Sequence, residues 1–370
     1  MANKKRKDGY IKSSFTEDGK RYYVYGKNQK EVNDKINKKR NELGQQLETR
    51  ENPTIKEYFE KRIEYKKNSL TYNTIHYLIE IKDILCKIYI KSADRTFGEI
   101  KVKQITADDL RYLQLFLSKR CSTSTTNSYM KKLKQVMNEA IRERIIIVNP
   151  FDLITNLKRT EEKARDTYHR ALSVEEQAKF FNSELLKTSI FRNVIRMGIL
   201  TGMRIGEIGA LKYKDIKSGY IEIKRTVTRV EGHTWGIGEE TKTKAGKRKI
   251  PITEQIREVL EDQNNLNTLR KGNNITELEE LVFVGPMGGL TIDGSVNKEI
   301  KKICEHENIK KFTFHALRDT FATRAIEGGM KPRTLQEILG HKDFAITMNL
   351  YCHVLDDTKE KEMNNLRISI

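Results

Sequence analysis

Apolar positions recur at helical spacing along most of this chain, and short alternating runs interrupt them. Near the N-terminus, residues 10–15 and 20–25 alternate like strands around the turn Glu17-Asp18-Gly19, and RYYVY is rich in strand formers. A helix over about Gln29 to Leu43 follows, with Val32, Ile36 and Leu43 on its buried side and Gly44 behind it. Residues 51–160 read as all helical. Thr54 with Glu57, after Pro53, forms a capping box ahead of Ile55, Tyr58, Phe59 and Ile63. Thr106 with Asp109 opens another helix that turns Leu110, Leu113 and Leu117 inward. The polar cluster Ser122 to Thr126 precedes a helix carrying Tyr129, Leu133, Val136, Met137, Ala140 and Ile141, and Asn149-Pro150 closes the unit. The charged stretch Leu157 to Arg170 lacks an apolar period and reads as a linker, after which Ser173 with Glu176 caps the next helix.

In the second half, an apolar helix stops at Thr201-Gly202 and a new one begins near Arg204. Residues 219–227 and 248–252 read as strands, and Thr241 to Lys247 crosses a turn near Ala245-Gly246. Phe283 and Val284 lead into the glycine-rich loop GPMGG before a helix over 295–306. Three short helices close the pattern. On the first, His315 and Arg318 lie three apart and share a face, while Phe314, Leu317, Phe321 and Ala325 turn to the core. Gly328-Gly329 ends it, and Pro332 suits the first turn of the second. That helix, Arg333 to Leu339, stops at Gly340 and delivers His341 from its end. The third, from about Ala345, carries Tyr351 and His353. The expected fold is α+β and mainly α. A small N-terminal hairpin-plus-helix domain (1–50) precedes a helical bundle (51–160) and a mixed α/β domain (161–370).

Charge narrows the class. Lys and Arg outnumber Asp and Glu by 70 to 51 over 370 residues, a net of +19, with a sequence pI near 9.5. That excess predicts attraction to a polyanion, nucleic acid before all else. The first 50 residues alone hold 14 Lys or Arg against 7 Asp or Glu. No apolar run approaches a membrane span, and the basic start MANKKRKDGY has no apolar segment behind it, so a soluble cytoplasmic protein without a membrane partner is expected. Cys86, Cys121, Cys304 and Cys352 are far apart and form no CxxC pair, which argues against zinc and for reduced thiols. No Walker loop, dinucleotide fingerprint or carboxylate metal cluster stands out.

The last three helices gather one kind of chemistry. Arginine offers a permanently charged fork for phosphate oxygens. Imidazole donates to the same oxygens or moves a proton, and a tyrosine hydroxyl is a nucleophile. Together they point to attack of a phenol on a phosphodiester without a metal. A lone tyrosine or histidine in an apolar helix is usually just a packed residue, so the combination carries the inference.

HALRDTFATR, LGHKD and TMNLYCHV, in that order, with TGMRIGEI upstream, resemble the signature of the tyrosine recombinase (phage integrase) family. The resemblance implies that Arg204 and Arg318 grip the phosphate, that His315 and His341 assist, and that Tyr351 attacks. It also implies that Glu207 holds the site together and that a hairpin lysine, Lys244 or else Lys242, protonates the leaving 5′ oxygen. GYIKSSFTEDGKRYYVYGKNQKEV resembles the arm-type DNA-binding domains of some integrases, with Tyr10, Lys12, Lys20, Arg21 and Tyr23 as contacts. Residues 51–160 resemble the SAM-like core-binding domain, with Lys131, Lys132 and Lys134 meeting phosphates. The implied function is integration and excision of a mobile element through a 3′-phosphotyrosine, with no metal, ATP or other cofactor. The implied assembly is a tetramer on two duplexes that passes through a Holliday junction in the nucleoid, aided by an excisionase or a host DNA-bending factor. The tail after Val354 would dock on a neighbouring protomer. Asp319 stands where the family often has a histidine, a pairing that would tune Arg318. A chromosome-dimer resolvase or invertase, a type IB topoisomerase and a non-catalytic DNA-binding regulator are the alternatives.

Overall fold

In the computed structural model of the chain, the N-terminal hairpin forms from β1 (Ile11–Glu17) and β2 (Lys20–Gly26), paired antiparallel with Lys12 opposite Tyr25 and Phe15 opposite Tyr22. The structure describes residues 11–17, 20–28, 30–36, 39, 51–158, 170–230, 234–238, 246–271, 280–286 and 288–355; side chains at 16, 17, 20, 270, 271 and 352–355 are outside that description. The period of two sorts the hairpin into faces. Ile11, Phe15 and Val24 are buried, while Lys12, Arg21, Tyr23 and Tyr25 are exposed on the other side. Residues 30–36 are helical with Val32 fully buried; the rest of the helix expected to Leu43 lies, apart from residue 39, outside the described residues.

The chain divides into two compact units, Met1–Glu161 and Glu162–Ile370. In the first, α1 (Ile55–Lys66), α2 (Tyr72–Cys86), α3 (Ala107–Ser118) and α4 (Thr123–Arg142) pack around one core. Two-residue strands β3 (Tyr89–Ile90) and β4 (Arg95–Thr96) join α2 to α3. The capping boxes at Thr54/Glu57 and Thr106/Asp109 both form. The polar cluster at 122–126 is part of α4 itself: Ser122 is the N-cap, accepting from the Thr125 N–H at 3.1 Å, and residues 123–126 are the first turn. Asn149 caps a 3-10 turn, Pro150–Leu153.

The second unit contains α5 (Val174–Asn182), α6 (Glu184–Thr188), α7 (Arg192–Thr201), α8 (Ile205–Gly209), α9 (Glu254–Lys271), α10 (Asp293–His306), α11 (Phe314–Glu327), α12 (Pro332–Leu339) and α13 (Phe344–Leu355). Its core runs from Leu172 through Phe180, Ile195, Ile208, Phe283 and Ile300 to Leu317. The single strand expected over 219–227 is instead two. β5 (Tyr220–Ile223) pairs with β8 (Arg248–Pro251), and β6 (Thr226–Arg229) pairs with β7 (Trp235–Gly238), so the chain changes partner at Lys224-Arg225. Against α7 the approach of α11 is close. A Cβ at Gly198 would stand 2.5 Å from the Phe314 ring, so only glycine admits that ring. Among the described residues no helix is long and apolar enough to cross a membrane.

Candidate active site

α7 ends because Gly202 takes a left-handed conformation, φ +63°, which L-residues with a Cβ adopt at a cost. Three residues later α8 begins with Arg204 at its N-cap position. Glu207, one turn on, reaches back and accepts the Arg204 backbone N–H at 2.9 Å and its Nη1 at 3.0 Å. Glu207 is 4% exposed. Burial opposes its charge, but hydrogen bonds from Arg248 and the backbone of Arg204, with the charge of both arginines, outweigh that and hold the carboxyl below its ordinary value.

Arg318 comes from the middle of α11 and is 3% exposed. Its Nη1 donates to the Gly202 carbonyl at 2.6 Å and its Nη2 to the Leu339 carbonyl at 2.7 Å. The guanidinium thus joins the end of α7 to the end of α12. Desolvation, aided by the charges of Arg204 and Arg248, brings its pKa down to about 9. Buried Arg248 and Arg318, with the half-exposed Arg204 beside them, outnumber a single buried carboxylate, and the charge left over suits an anion.

His341 follows Gly340, which caps α12 with φ +67°. Its Nδ1 lies 3.0 Å from Thr347 Oγ1. Desolvation and then the charge of Arg318 lower its pKa to about 4, with Arg204, Arg248 and His315 also contributing, so the imidazole is neutral at physiological pH. His315 shares a helix with Arg318 but not its burial: its side chain is 48% exposed and its Nε2 is 3.8 Å from Asp319 Oδ1. Asp319 thus lies near His315, one turn away on α11, and its charge also acts on Arg318, opposing the lowering of that arginine's pKa. Tyr351 is 8% exposed on α13 and its hydroxyl donates to the Met330 carbonyl. Burial raises its pKa.

Arg204, Glu207, Arg318 and His341 are therefore brought together, with His315 at the margin, while Tyr351 is held on a backbone carbonyl beside Leu335 and Leu339. Lys242, Lys244 and Tyr10 lie outside the described residues, as do the side chains of Lys20 and His353. Lys12 sits over the Tyr23 ring at 4.1 Å and Arg21 at 5.8 Å, on the exposed hairpin face. Tyr25 joins that face, its ring 5.9 Å from Lys12 Nζ, as strand alternation requires. Lys131 is exposed; Lys132 donates to Gln135 at 3.3 Å, and Lys134 lies 3.4 Å from Asp152. Arg248 also belongs to the cluster around Glu207. Its Nη1 and Nη2 fork onto the two Glu207 oxygens at 3.0 and 2.7 Å, and nothing in the run TKTKAGKRKIPI distinguishes it from the other basic residues.

Comparison with known proteins agrees in both halves. The profile described as "Phage integrase family" matches residues 174–358, and that of the "Phage integrase SAM-like domain" matches residues 54–163. The chain is 28% identical over 258 residues to the transposase of transposon Tn916 from Enterococcus faecalis, covering 65% of this chain and 61% of that protein. The match spans less than two thirds of that relative's own length. It is 29% identical over 298 residues to a XerC-like tyrosine recombinase of Caldanaerobacter subterraneus, covering 75% and 74% of the two chains. Among solved structures it resembles part of the Tn1549 transposon integrase in complex with transposon right end DNA (TM-score 0.67, 25% identity, 85% of this chain and 99% of that one). The fold also matches a lambda integrase dimer bound to a core site (TM-score 0.63, 15% identity, 94% of each chain).

Proposed function

The chain belongs to the phage integrase family, and on that premise we propose that it is a tyrosine site-specific recombinase that integrates and excises a mobile element. The observation that carries this reading is the convergence of Arg204, Arg318 and neutral His341 on one positively charged site that opens to solvent at Arg204, with Tyr351 on the adjoining helix.

In the proposed mechanism, the N–H groups that Arg204 and Arg318 do not give to the protein grip the non-bridging oxygens of one phosphodiester. Both guanidiniums are already anchored, Arg204 on Glu207 and Arg318 on two main-chain carbonyls. They meet the charge that grows in the pentavalent transition state without rearranging. His341, uncharged, donates one hydrogen bond to the same phosphate. The Tyr351 hydroxyl leaves the Met330 carbonyl, gives up its proton to a base, a role we give to His315, and attacks phosphorus. The phosphorus–O5′ bond breaks, and the 5′ oxygen takes a proton from Lys244 or Lys242. In the second step a 5′ hydroxyl of the partner strand attacks the 3′-phosphotyrosine and restores the phenol. One phosphoester replaces another at each step, so no ATP is consumed.

We assign residues 1–50 to arm-type DNA binding through the Lys12, Arg21, Tyr23 and Tyr25 face, residues 51–160 to the core-binding half of a clamp, and 161–370 to catalysis. The partners are duplex DNA at crossover and arm sites and three further copies of the chain on two duplexes, in the bacterial cytoplasm, with an excisionase or DNA-bending factor setting direction. The exposed aromatic and basic hairpin face favours an integrase over a simple resolvase, which would need no second DNA-binding unit. Strand exchange between two duplexes carrying the ends of the element, run in EDTA without ATP, tests the reading. Recombinant product is expected; relaxation of supercoils with no exchange would point to a topoisomerase, and tight binding with neither would point to a regulator.

A further inference from the structure

The site holds a third arginine that the proposed chemistry does not use. Arg248 stands at the start of β8, the strand that leaves the 241–247 segment. Its side chain is 5% exposed, and its donors are spent on the protein. Nη1 and Nη2 fork onto Glu207, Nε donates to the Ile338 carbonyl at 2.5 Å, and Nη1 reaches the Gly246 carbonyl at 3.5 Å. A guanidinium so occupied has little left to offer a phosphate.

What it holds is specific. Glu207 is the carboxylate that tethers Arg204 by side chain and backbone. Ile338 and Leu339 supply the last carbonyls of α12, and two arginines from different elements divide them: Arg248 takes Ile338 and Arg318 takes Leu339. Positive charge at a helix C-terminus is favourable, and each bond satisfies a carbonyl that the helix leaves open. Gly340 then turns the chain, and His341 follows directly. One planar fork therefore ties the helix of Arg204 to the helix end that presents His341, and both to the strand leaving the segment that carries Lys242 and Lys244.

We propose that Arg248 is a positioning residue that sets the spacing between Arg204 and His341 through Glu207 and the Ile338 carbonyl. It does so without touching DNA. Lysine keeps the charge but offers a single point instead of a fork, so it cannot hold Glu207 and Ile338 together. A displacement on the order of 1 Å in a phosphate-gripping group is enough to cost about a hundredfold in rate.

The inference rests on the recombinase reading, and the test keeps the two apart. Covalent adduct formation on a nicked duplex is measured at saturating DNA for the wild type and for Arg248→Lys, together with DNA affinity across a salt series and thermal unfolding. If the wild type forms no adduct, the recombinase reading has failed. If it does, Arg248→Lys is expected to lose about a hundredfold in adduct rate. Its affinity and salt dependence should stay as in the wild type, because no phosphate contact is lost. An unchanged rate at saturating DNA in the folded variant overturns the proposal, and so does a shallower salt slope, which would make Arg248 a DNA contact. Should Arg248→Lys not fold, Glu207→Asp keeps the charge and shortens the acceptor that Arg248 grips. Because Glu207 also tethers Arg204, only the rate is read in this variant: a loss of the same order is expected, and a wild-type rate there would equally overturn the proposal.

Discussion

Replacing Gly202 with alanine probes fold and site together. The residue adopts φ +63°, and a Cβ built on it would stand 2.6 Å from Phe321 Cδ1 and 2.7 Å from Leu339 Cδ2. A left-handed L-residue costs about 1–2 kcal/mol, and overpacking a filled core costs about 1–3 kcal/mol more. Both contacts are tighter than a Cβ tolerates, so the expected loss is about 2–5 kcal/mol, which lowers the Tm of a unit this size by about 4–20 °C. Such a loss leaves a typical domain folded at 25 °C, so activity remains measurable. The Gly202 carbonyl also accepts Arg318 Nη1, and relief of the clash moves that acceptor. Adduct formation should therefore fall even below the melting range. Gly219→Ala is the control: its φ is not left-handed and nothing lies within 4 Å of its added Cβ. Differential scanning calorimetry of the two variants beside the wild type gives the answer. Equal melting of Gly202→Ala and Gly219→Ala would refute the left-handed turn and its packing.

Arg318→Lys exchanges a fork on two carbonyls for a point charge, and adduct formation at saturating DNA is expected to drop by about a hundredfold to a thousandfold while binding changes little; a near-normal rate in a single-turnover assay would contradict the assignment. His341 has a folded pKa of about 4 against an ordinary 6.5. The unfolded chain binds the extra proton first, so the stability contributed is complete above about pH 6.5 and is lost as pH falls toward 4. Urea unfolding at pH 7 and pH 5 should show a steeper loss in the wild type than in His341→Gln; identical pH profiles would argue against a buried neutral imidazole. Thr54→Ala removes one arm of the α1 capping box and should cost about 1 kcal/mol in a denaturant titration without altering adduct rates. A change in rate at full DNA occupancy would mean that α1 does more than support its bundle.

Local chemistry explains why so much of the fold was legible. Capping boxes at Thr54/Glu57, Thr106/Asp109 and Ser173/Glu176 announce helix starts by satisfying their own N–H groups, and each forms as the sequence implies. Gly202 and Gly340 announce helix ends by the conformation they take. The break between β5 and β6 was not legible, because Ile221, Ile223 and Val227 keep one parity across Lys224-Arg225, and that pattern says nothing of which strand each half pairs with. The β7 run WGIG has two glycines in four residues, a composition that does not read as strand. At the site, spacing gave the residues but not their states. A period of 3.6 puts His315 and Arg318 on one face, and only the packing of α7 and α12 around α11 buries the arginine while leaving the histidine half exposed. Arg248 was hidden for the opposite reason: its role depends on Glu207, 41 residues earlier, and on Ile338, 90 residues later.

The central claim is that Tyr351 joins itself to DNA. A duplex from the end of the mobile element, nicked so that cleavage cannot reverse, is incubated with the protein in EDTA, and the denatured mixture is analysed by gel and by mass spectrometry of the protein–DNA peptide. A denaturant-resistant adduct on Tyr351 is expected in the wild type and none in Tyr351→Phe, which should still bind DNA. An adduct that persists in Tyr351→Phe, or that maps to another residue, would contradict it.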